Sequence, residues 1–517
     1  MYIRGTKIIN KIDTALNSSH FFRIKMIFDY LEELILNNFG FKPTIDQATA
    51  IKEMAKFLLT EPANHSALNG DVFVLRGYAG TGKTSLVSAL VKTMEQLERK
   101  CVLMAPTGRA AKVFSIYSGH PAFTIHKRIY RQKSMDDDTL FQMGYNGLKN
   151  ALFIVDEASM ISNDGSSTIY SSGRLLDDLI QFVYSGEGCR MILLGDTAQL
   201  PPVGEVESPA LNPDVLRSYG LNVTCLTLTN VVRQDEMSGI LSNATALRHL
   251  IDDAANYRTP IGRTMPTLPH IDFTKDVRNI PGNELIEQLA DCYHNYGTDD
   301  TIVVCRSNKR AHVYNMGIRN QILDREEELS SGDMIMIAKN NYYWLKENFK
   351  GESIKELPAS QQSDFIANGD IAKVLKVRNE RELYGFRFAD CELLLPDYDD
   401  LEISATVLLD TLHTESPALS KEQSELLFNK VLEDYADLPY KKERMKKLRE
   451  DPYYNALQIK YAYAVTCHKA QGGQWSQVFI DQGYITEDII GIDYYRWLYT
   501  AFTRATDNVF LVNWKNE

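Results

Sequence analysis

The chain has 517 residues and a mass of 58.7 kDa, with 44% hydrophobic and 24% charged residues, a globular composition too long for one core. Its 56 Lys and Arg against 68 Asp and Glu give a net charge of −12, which excludes a general basic coat for nucleic acid. The balance is uneven, because residues 72–133 hold eleven Lys or Arg against two Glu, whereas residues 391–437 hold two Lys against twelve acids.

Seven scattered cysteines, none in a CxxC pair, read as reduced structural thiols. No apolar run reaches the roughly eighteen residues of a membrane span, and Lys7, Lys11 and Asp13 interrupt any signal-peptide core. The expectation is a cytoplasmic protein with no membrane partner.

Residues 1–40 predict a helix, with Ile24, Ile27, Phe28, Leu31, Leu34 and Ile35 at three- and four-residue spacings. From 41 to 230, short apolar runs alternate with helical stretches such as 84–98. These runs are VFVL (72–75), CVLMA (101–105), ALFIV (151–155), RMILL (190–194) and TCLTL (224–228). Such alternation predicts a parallel sheet covered by helices on both faces. A second set, TIVVC (301–305), YAYAV (461–465), QVFI (477–480) and NVFLV (508–512), predicts a second α/β unit. It is interrupted from about 332 to 455 by GDMIMIA (332–338) and by Asn368-Gly369 before IAKVLKV (371–377), which suggest strands and a hairpin. An acidic stretch and a helix over about 421–450 follow.

Residues 77–84, Gly-Tyr-Ala-Gly-Thr-Gly-Lys-Thr, form a full GxxxxGK[ST] between a predicted strand and a helix. The glycines Gly77, Gly80 and Gly82, with Thr81, let backbone N–H groups wrap phosphates at a helix N-terminus. Lys83 reaches the β and γ phosphates of ATP, and Thr84 holds Mg²⁺. At the mouth of a later strand stand Asp156, suited to hold the metal, and Glu157, suited to orient or deprotonate an attacking water. A guanine-specifying NKxD is absent, since Asn308-Lys309 precedes Arg310-Ala311, and this argues against a GTPase. None of the ten histidines has a Cys or acidic partner at metal-ligand spacing, so no metal beyond nucleotide-bound Mg²⁺ is expected.

From Arg109 to Lys133 there are six basic residues and no acid, interleaved with Phe114, Tyr117, Phe123 and Tyr130. Cations for phosphates and rings for bases are what sequence-independent binding of a single strand requires.

Taken in order, the motifs resemble a superfamily 1 DNA helicase of the RecD/Dda-like 5′→3′ branch. The likeness runs from Thr44 to Trp514. It rests on the phosphate loop, Ala105-Pro106-Thr107-Gly108-Arg109, Thr124-Ile125-His126, Asp156-Glu157-Ala158-Ser159, Gly195-Asp196-Thr197-Ala198-Gln199, Val232-Arg233-Gln234, Thr466-Cys467-His468-Lys469-Ala470-Gln471-Gly472 and Thr503-Arg504.

The resemblance implies an α/β fold of two RecA-like P-loop domains, with a small β-hairpin insertion in the first and an SH3-like β insertion in the second. The implied boundaries are an N-terminal helical appendage at 1–40, domain 1A at 41–230 with a pin at 127–150, domain 2A at 231–331 and 456–517, and the insertion at 332–455. It also implies that Gln199 senses the γ phosphate, that Arg233 and Arg504 act as arginine fingers across a cleft, and that Gln47 reads adenine.

By the same likeness, Pro106, Thr107, Arg109, Thr124, His126, Thr466, His468 and Lys469 lie along DNA, and Phe141 caps the fork. Relatives place a glutamate where this chain has Gln474, so a ribose contact there is left to an amide. The implied partners are single-stranded DNA and single-strand/duplex junctions, for a monomer or a chain loaded by another protein. The other function open at this point is a P-loop ATPase that remodels proteins or binds DNA without unwinding it.

Overall fold

Apolar runs of four to six residues, too uniformly buried to alternate faces, become the inner strands of two parallel sheets. The computed structural model describes residues 20–60, 70–132, 141–165, 173–231, 238–256, 267–349 and 365–515. The chain divides into two compact units, the first running to residue 236 and the second from residue 237, with Thr107–Arg109 counted in the second.

The strands of the first unit are β1 (Asp71–Gly77), β2 (Cys101–Ala105), β3 (Ala122–Thr124), β4 (Tyr130–Gln132), β5 (Phe141–Met143), β6 (Leu152–Val155), β7 (Arg190–Gly195) and β8 (Asn222–Leu228). Six of them form one parallel sheet in the order β3-β2-β6-β7-β1-β8, and β4 and β5 pair as a separate antiparallel ribbon. Val72, Phe73, Val74 and Leu75 of β1 are fully buried, and each such side chain contributes about 1.5–3 kcal/mol of apolar burial. The predicted N-terminal helix is present over His20–Phe39. Its Leu31, Ile35 and Phe39 join the same core as Ile51, Phe73 and Leu90, so these residues are part of the first unit.

The second unit holds β9 (Val277–Ile280), β10 (Thr301–Cys305), β11 (Met334–Ile337), β12 (Ile371–Leu383), β13 (Phe386–Leu395), β14 (Leu401–Leu408), β15 (Leu457–Tyr461), β16 (Ala464–Thr466), β17 (Trp475–Asp481) and β18 (Ala505–Val512). A parallel sheet runs β16-β10-β17-β18-β9, and β11 to β15 close into a barrel. The two parallel α/β sheets expected from the sequence are therefore both present.

Several details differ from the sequence reading. The run 461–465 splits: Tyr461 ends barrel strand β15, and Ala464 begins β16 in the sheet, so the barrel continues past residue 455. β11 and β12 do pair antiparallel, but the tight hairpin lies elsewhere, at Tyr384-Gly385, where both residues adopt positive φ (+60° and +79°) between β12 and β13. The helix expected over 421–450 is two helices, Lys421–Glu433 and Lys441–Arg449, separated by a segment containing Pro439, whose ring cannot continue a helix.

One buried carboxylate joins barrel to sheet. Asp333 accepts hydrogen bonds from Arg319 Nε and Nη2, both at 3.0 Å, from Ser330 N at 2.7 Å and from the Tyr463 hydroxyl at 2.8 Å. Burial alone would raise this carboxyl, but Arg319, Ser330 and Tyr463 hold it below its ordinary value. Leaving one member of such a pair alone costs about 3–5 kcal/mol, so the contact fixes β11 against the helix Asn308–Gln321 and the turn into β16. Among the described residues, no helix is long and apolar enough to cross a membrane.

Candidate nucleotide and nucleic-acid sites

A parallel sheet exposes functional side chains where strands end and loops begin. In the first unit β1 lies beside β7, and β7 beside β6. The carboxyl end of β1 delivers residues 77–84, that of β6 delivers Asp156-Glu157, and that of β7 leads to Gln199.

After β1 the chain turns through Gly80 and Gly82, whose φ values of +76° and +82° lie in the left-handed region, and enters the helix Lys83–Gln96. A Cβ on Gly77 would stand 2.8 Å from Thr81 Oγ1, and one on Gly82 2.6 Å from Gln47 Nε2, so a side chain at either position would displace its neighbours. Lys83 Nζ donates to the carbonyls of Gly77 and Tyr78. Thr84 is half-buried in the first turn of the helix.

Gln47 is 1% exposed. Its Nε2 donates to the Thr81 carbonyl at 2.9 Å, and its Oε1 accepts from Thr44 N at 3.0 Å within a capping box. The amide thus braces the phosphate loop, a use the sequence did not disclose, and keeps one N–H and one lone pair beyond these bonds.

Burial, and then the neighbouring Glu157, raise the Asp156 carboxyl to about 7, against the pull of the Glu157 N–H and Lys83. A bound divalent cation opposes that shift. Glu157 sits in the left-handed region at φ +49°, rare for a side-chain-bearing residue and typical of strain kept at a functional position. Gln199 is buried, and its Oε1 has no hydrogen-bond partner among the described residues, which is what a site built for an additional donor shows. Glycine-lined N–H groups, a lysine, a hydroxyl, an acidic pair and an unsatisfied amide oxygen together fit a Mg²⁺-nucleotide.

In the second unit, Arg504 follows the helix Ile492–Phe502 and is 4% exposed. Its guanidinium donates to the carbonyls of Thr500 and Gly473 and to Thr503 Oγ1, each at 3.2 Å. These partners are neutral, so the charge is held in place without a carboxylate hydrogen bond. Gln474, half-buried, is the next residue after Gly473. Arg233 lies outside the described residues.

The basic stretch of the first unit is only partly as expected. Phe114 and Tyr130 are core residues, 1% and 4% exposed, with the Tyr130 hydroxyl donating to Asp178 at 2.6 Å, so neither ring is available to a base. Tyr117 is exposed, and Lys127 Nζ lies 4.8 Å above the Phe123 ring. Pro106 and Thr107 follow β2 directly, and Arg109 lies in the first turn of the helix Gly108–Ser118. The Thr124 hydroxyl caps the helix Ile125–Ile129, accepting from Lys127 N at 3.2 Å. Burial lowers the His126 imidazole to about 4, so the ring is neutral at pH 7. Phe141 pairs through its backbone with Gln132, and its side chain lies outside the described residues.

In the second unit, Thr466 ends β16 and stands at the N-cap of the helix Cys467–Ala470 without a side-chain capping bond. Burial lowers the half-buried His468, and it lowers the ammonium of Lys469, whose Nζ donates to Asn368. Thr466 and Lys469 line one groove with Asn308, His312 and Lys460. The sequence reading missed the last three. Lys460 belongs to the barrel strand β15, and burial lowers its ammonium to about 8.

The AAA domain family matches residues 61–257, and the UvrD-like helicase C-terminal domain matches residues 461–512. The chain is 22% identical over 517 residues to an uncharacterized protein of Acanthamoeba polyphaga mimivirus, covering 85% of this chain and 94% of that one. It is 24% identical over 440 residues to the ATP-dependent RecD2 DNA helicase of Deinococcus radiodurans, covering 84% of this chain but only 46% of that relative. With the ATP-dependent DNA helicase dda of Enterobacteria phage T4 the identity is 22% over 467 residues, 88% and 95% of the two chains. Among solved structures, Pif1 helicase from Candida albicans aligns over 92% of this chain and 95% of its own, with 15% identity and a TM-score of 0.41. Motifs gathered at adjacent strand ends, the two family matches and the likeness to the RecD2 and dda helicases together support a superfamily 1 helicase of the RecD/Dda type.

Proposed function

We propose that this helicase moves 5′→3′ along single-stranded DNA and parts duplex at a junction, driven by closure and opening of its two RecA-like units around ATP. The observation that carries the reading is the convergence of the phosphate loop, Asp156-Glu157 and Gln199 on the carboxyl ends of three neighbouring strands.

Residues Gly77, Gly80, Thr81, Gly82 and Lys83 hold the phosphates, and Lys83 exchanges its carbonyl contacts for phosphate oxygens. Thr84 and Asp156 would hold Mg²⁺, which neutralises charge on the phosphates when bound. Glu157 takes the proton of the attacking water, and Gln199 Oε1 accepts a hydrogen bond from that water, satisfying its orphaned oxygen. Gln47 contacts the adenine edge with the capacity left over from bracing Thr81, and Gln474 contacts the ribose. Arg233 and Arg504 supply positive charge to the transferring phosphoryl group when the units close.

Pro106, Thr107, Arg109, Thr124, His126, Thr466, His468 and Lys469 grip the strand. Phe141 caps the last base pair. Each base-pair step opened costs about 1.4 kcal/mol of stacking on average.

Duplexes with a 5′ or a 3′ single-stranded tail test the direction. The 5′-tailed substrate is expected to open with ATP and Mg²⁺ while the 3′-tailed one stays paired, and opening of the 3′-tailed substrate alone would reverse the assignment.

A further inference from the structure

Asp46 and Gln47 are consecutive residues in the first turn of the helix Ile45–Leu59, which starts at the Thr44 N-cap. The capping box sets this turn: Thr44 Oγ1 accepts from Gln47 N while Gln47 Oε1 accepts from Thr44 N. Gln47 reaches the phosphate loop through the Thr81 carbonyl, as described above. Asp46 reaches a different segment. Its Oδ2 accepts from Thr229 N at 2.8 Å, Thr229 Oγ1 at 2.7 Å and Asn230 N at 3.2 Å. The Thr229 hydroxyl, more than any other group, holds this carboxyl below its ordinary value.

Thr229 and Asn230 are the residues by which the chain leaves β8 on its way to the second unit, which starts at residue 237. β8 itself needs no help from Asp46. It is paired with β1 along its whole length, from Asp71↔Asn222 to Gly77↔Leu228. Leu228 also meets the nucleotide loop directly, its Cβ lying 3.1 Å from where a Cβ on Gly77 would stand. The three bonds to Asp46 therefore fix the direction of the departing chain rather than the strand. They do so from a half-exposed side chain one residue away from the brace on the phosphate loop.

We propose that Asp46 is a positioning residue that ties the chain leaving the first unit to the turn holding the nucleotide loop, so that the state of the loop is passed to the segment leading to the second unit. This rests on the closure reading given above. Asp46 touches no phosphate and carries no proton. Its contribution is to keep Thr229 and Asn230 in register with Thr81 through one rigid helical turn.

The test is steady-state ATP hydrolysis by the full chain at saturating oligo(dT), with ATP titrated, for wild type, Asp46→Ala, Asp46→Asn and Lys83→Ala, together with the thermal midpoint of each. Asp46→Ala is expected to lower DNA-stimulated kcat about tenfold, within the 10²-fold that a slightly misplaced group can cost, while KM for ATP stays within about twofold and the midpoint barely moves. Asp46→Asn keeps an acceptor oxygen and is expected to recover most of the rate.

An unchanged kcat in Asp46→Ala, or a kcat loss matched by a risen KM and a lowered midpoint, would overturn the proposal. A wild type indifferent to DNA, with Lys83→Ala equally active, would end the closure reading and this proposal together. A DNA-stimulated wild type beside an unaffected Asp46→Ala would end this proposal alone.

Discussion

Replacing Arg504 with alanine is expected to lower DNA-stimulated ATP hydrolysis by about 10³-fold or more, with a much smaller change in ATP affinity. The geometry suits that role: Arg504 is buried, its donors rest on two carbonyls and a hydroxyl, and among the described residues it donates to no carboxylate. It follows directly on a helix C-terminus, whose partial negative charge favours a cation. Carbonyl contacts are exchanged for phosphate oxygens at less cost than a salt bridge, since a neutral acceptor holds the guanidinium less strongly than a carboxylate does. Arg504→Lys keeps the charge but loses the planar fork, so little of the rate returns. Single-turnover hydrolysis beside equilibrium binding of a fluorescent ATP analogue measures both quantities. A fall in affinity equal to the fall in rate would make Arg504 a binding residue instead.

Glu157→Gln is expected to cut hydrolysis by about 10²–10⁴-fold while leaving Mg²⁺-ATP bound. The amide is the same size but cannot take a proton from water. The sign of the second effect follows from the neighbouring carboxylate. Burial and the charge of Glu157 raise the Asp156 carboxyl, so removing that charge lets it fall and favours the ionised form that holds a cation. Binding is therefore preserved or strengthened as catalysis is lost. A variant that hydrolyses ATP at more than a tenth of the wild-type rate would remove Glu157 from the role of base.

The parallel sheets were legible because buried strands carry continuous apolar runs, and because residues 77–84 and Asp156-Glu157 sit where those runs stop. β9 was missed, since Val277-Arg278-Asn279-Ile280 buries only its ends and mimics a loop. β13 and β14 were hidden by their own outer faces. Arg387, Asp390, Glu392 and Glu402 gave the segment its acidic, polar character, while Phe386, Phe388, Leu393 and Ile403 were turned inward.

The basic aromatic stretch misled in the opposite direction: spacing could not tell that Phe114 and Tyr130 face the core while Tyr117 faces water. Nor could it tell that Lys460 and His312, 148 positions apart in the chain, line one groove with Thr466. Gln47 was found by its motif, but its brace on Thr81 depends on a capping box visible only when the helix is built.

The net charge of −12 implies weak non-specific attraction to duplex DNA, so a grip on the strand is expected to be local and sensitive to salt. In the proposed cycle, the nucleotide site of the first unit works under the control of a bound single strand. ATP hydrolysis by the full chain, with and without single-stranded DNA and beside Lys83→Ala, measures this most directly. The expected result is strong stimulation by DNA that disappears in Lys83→Ala. Equal rates with and without DNA, or undiminished hydrolysis in Lys83→Ala, would contradict it.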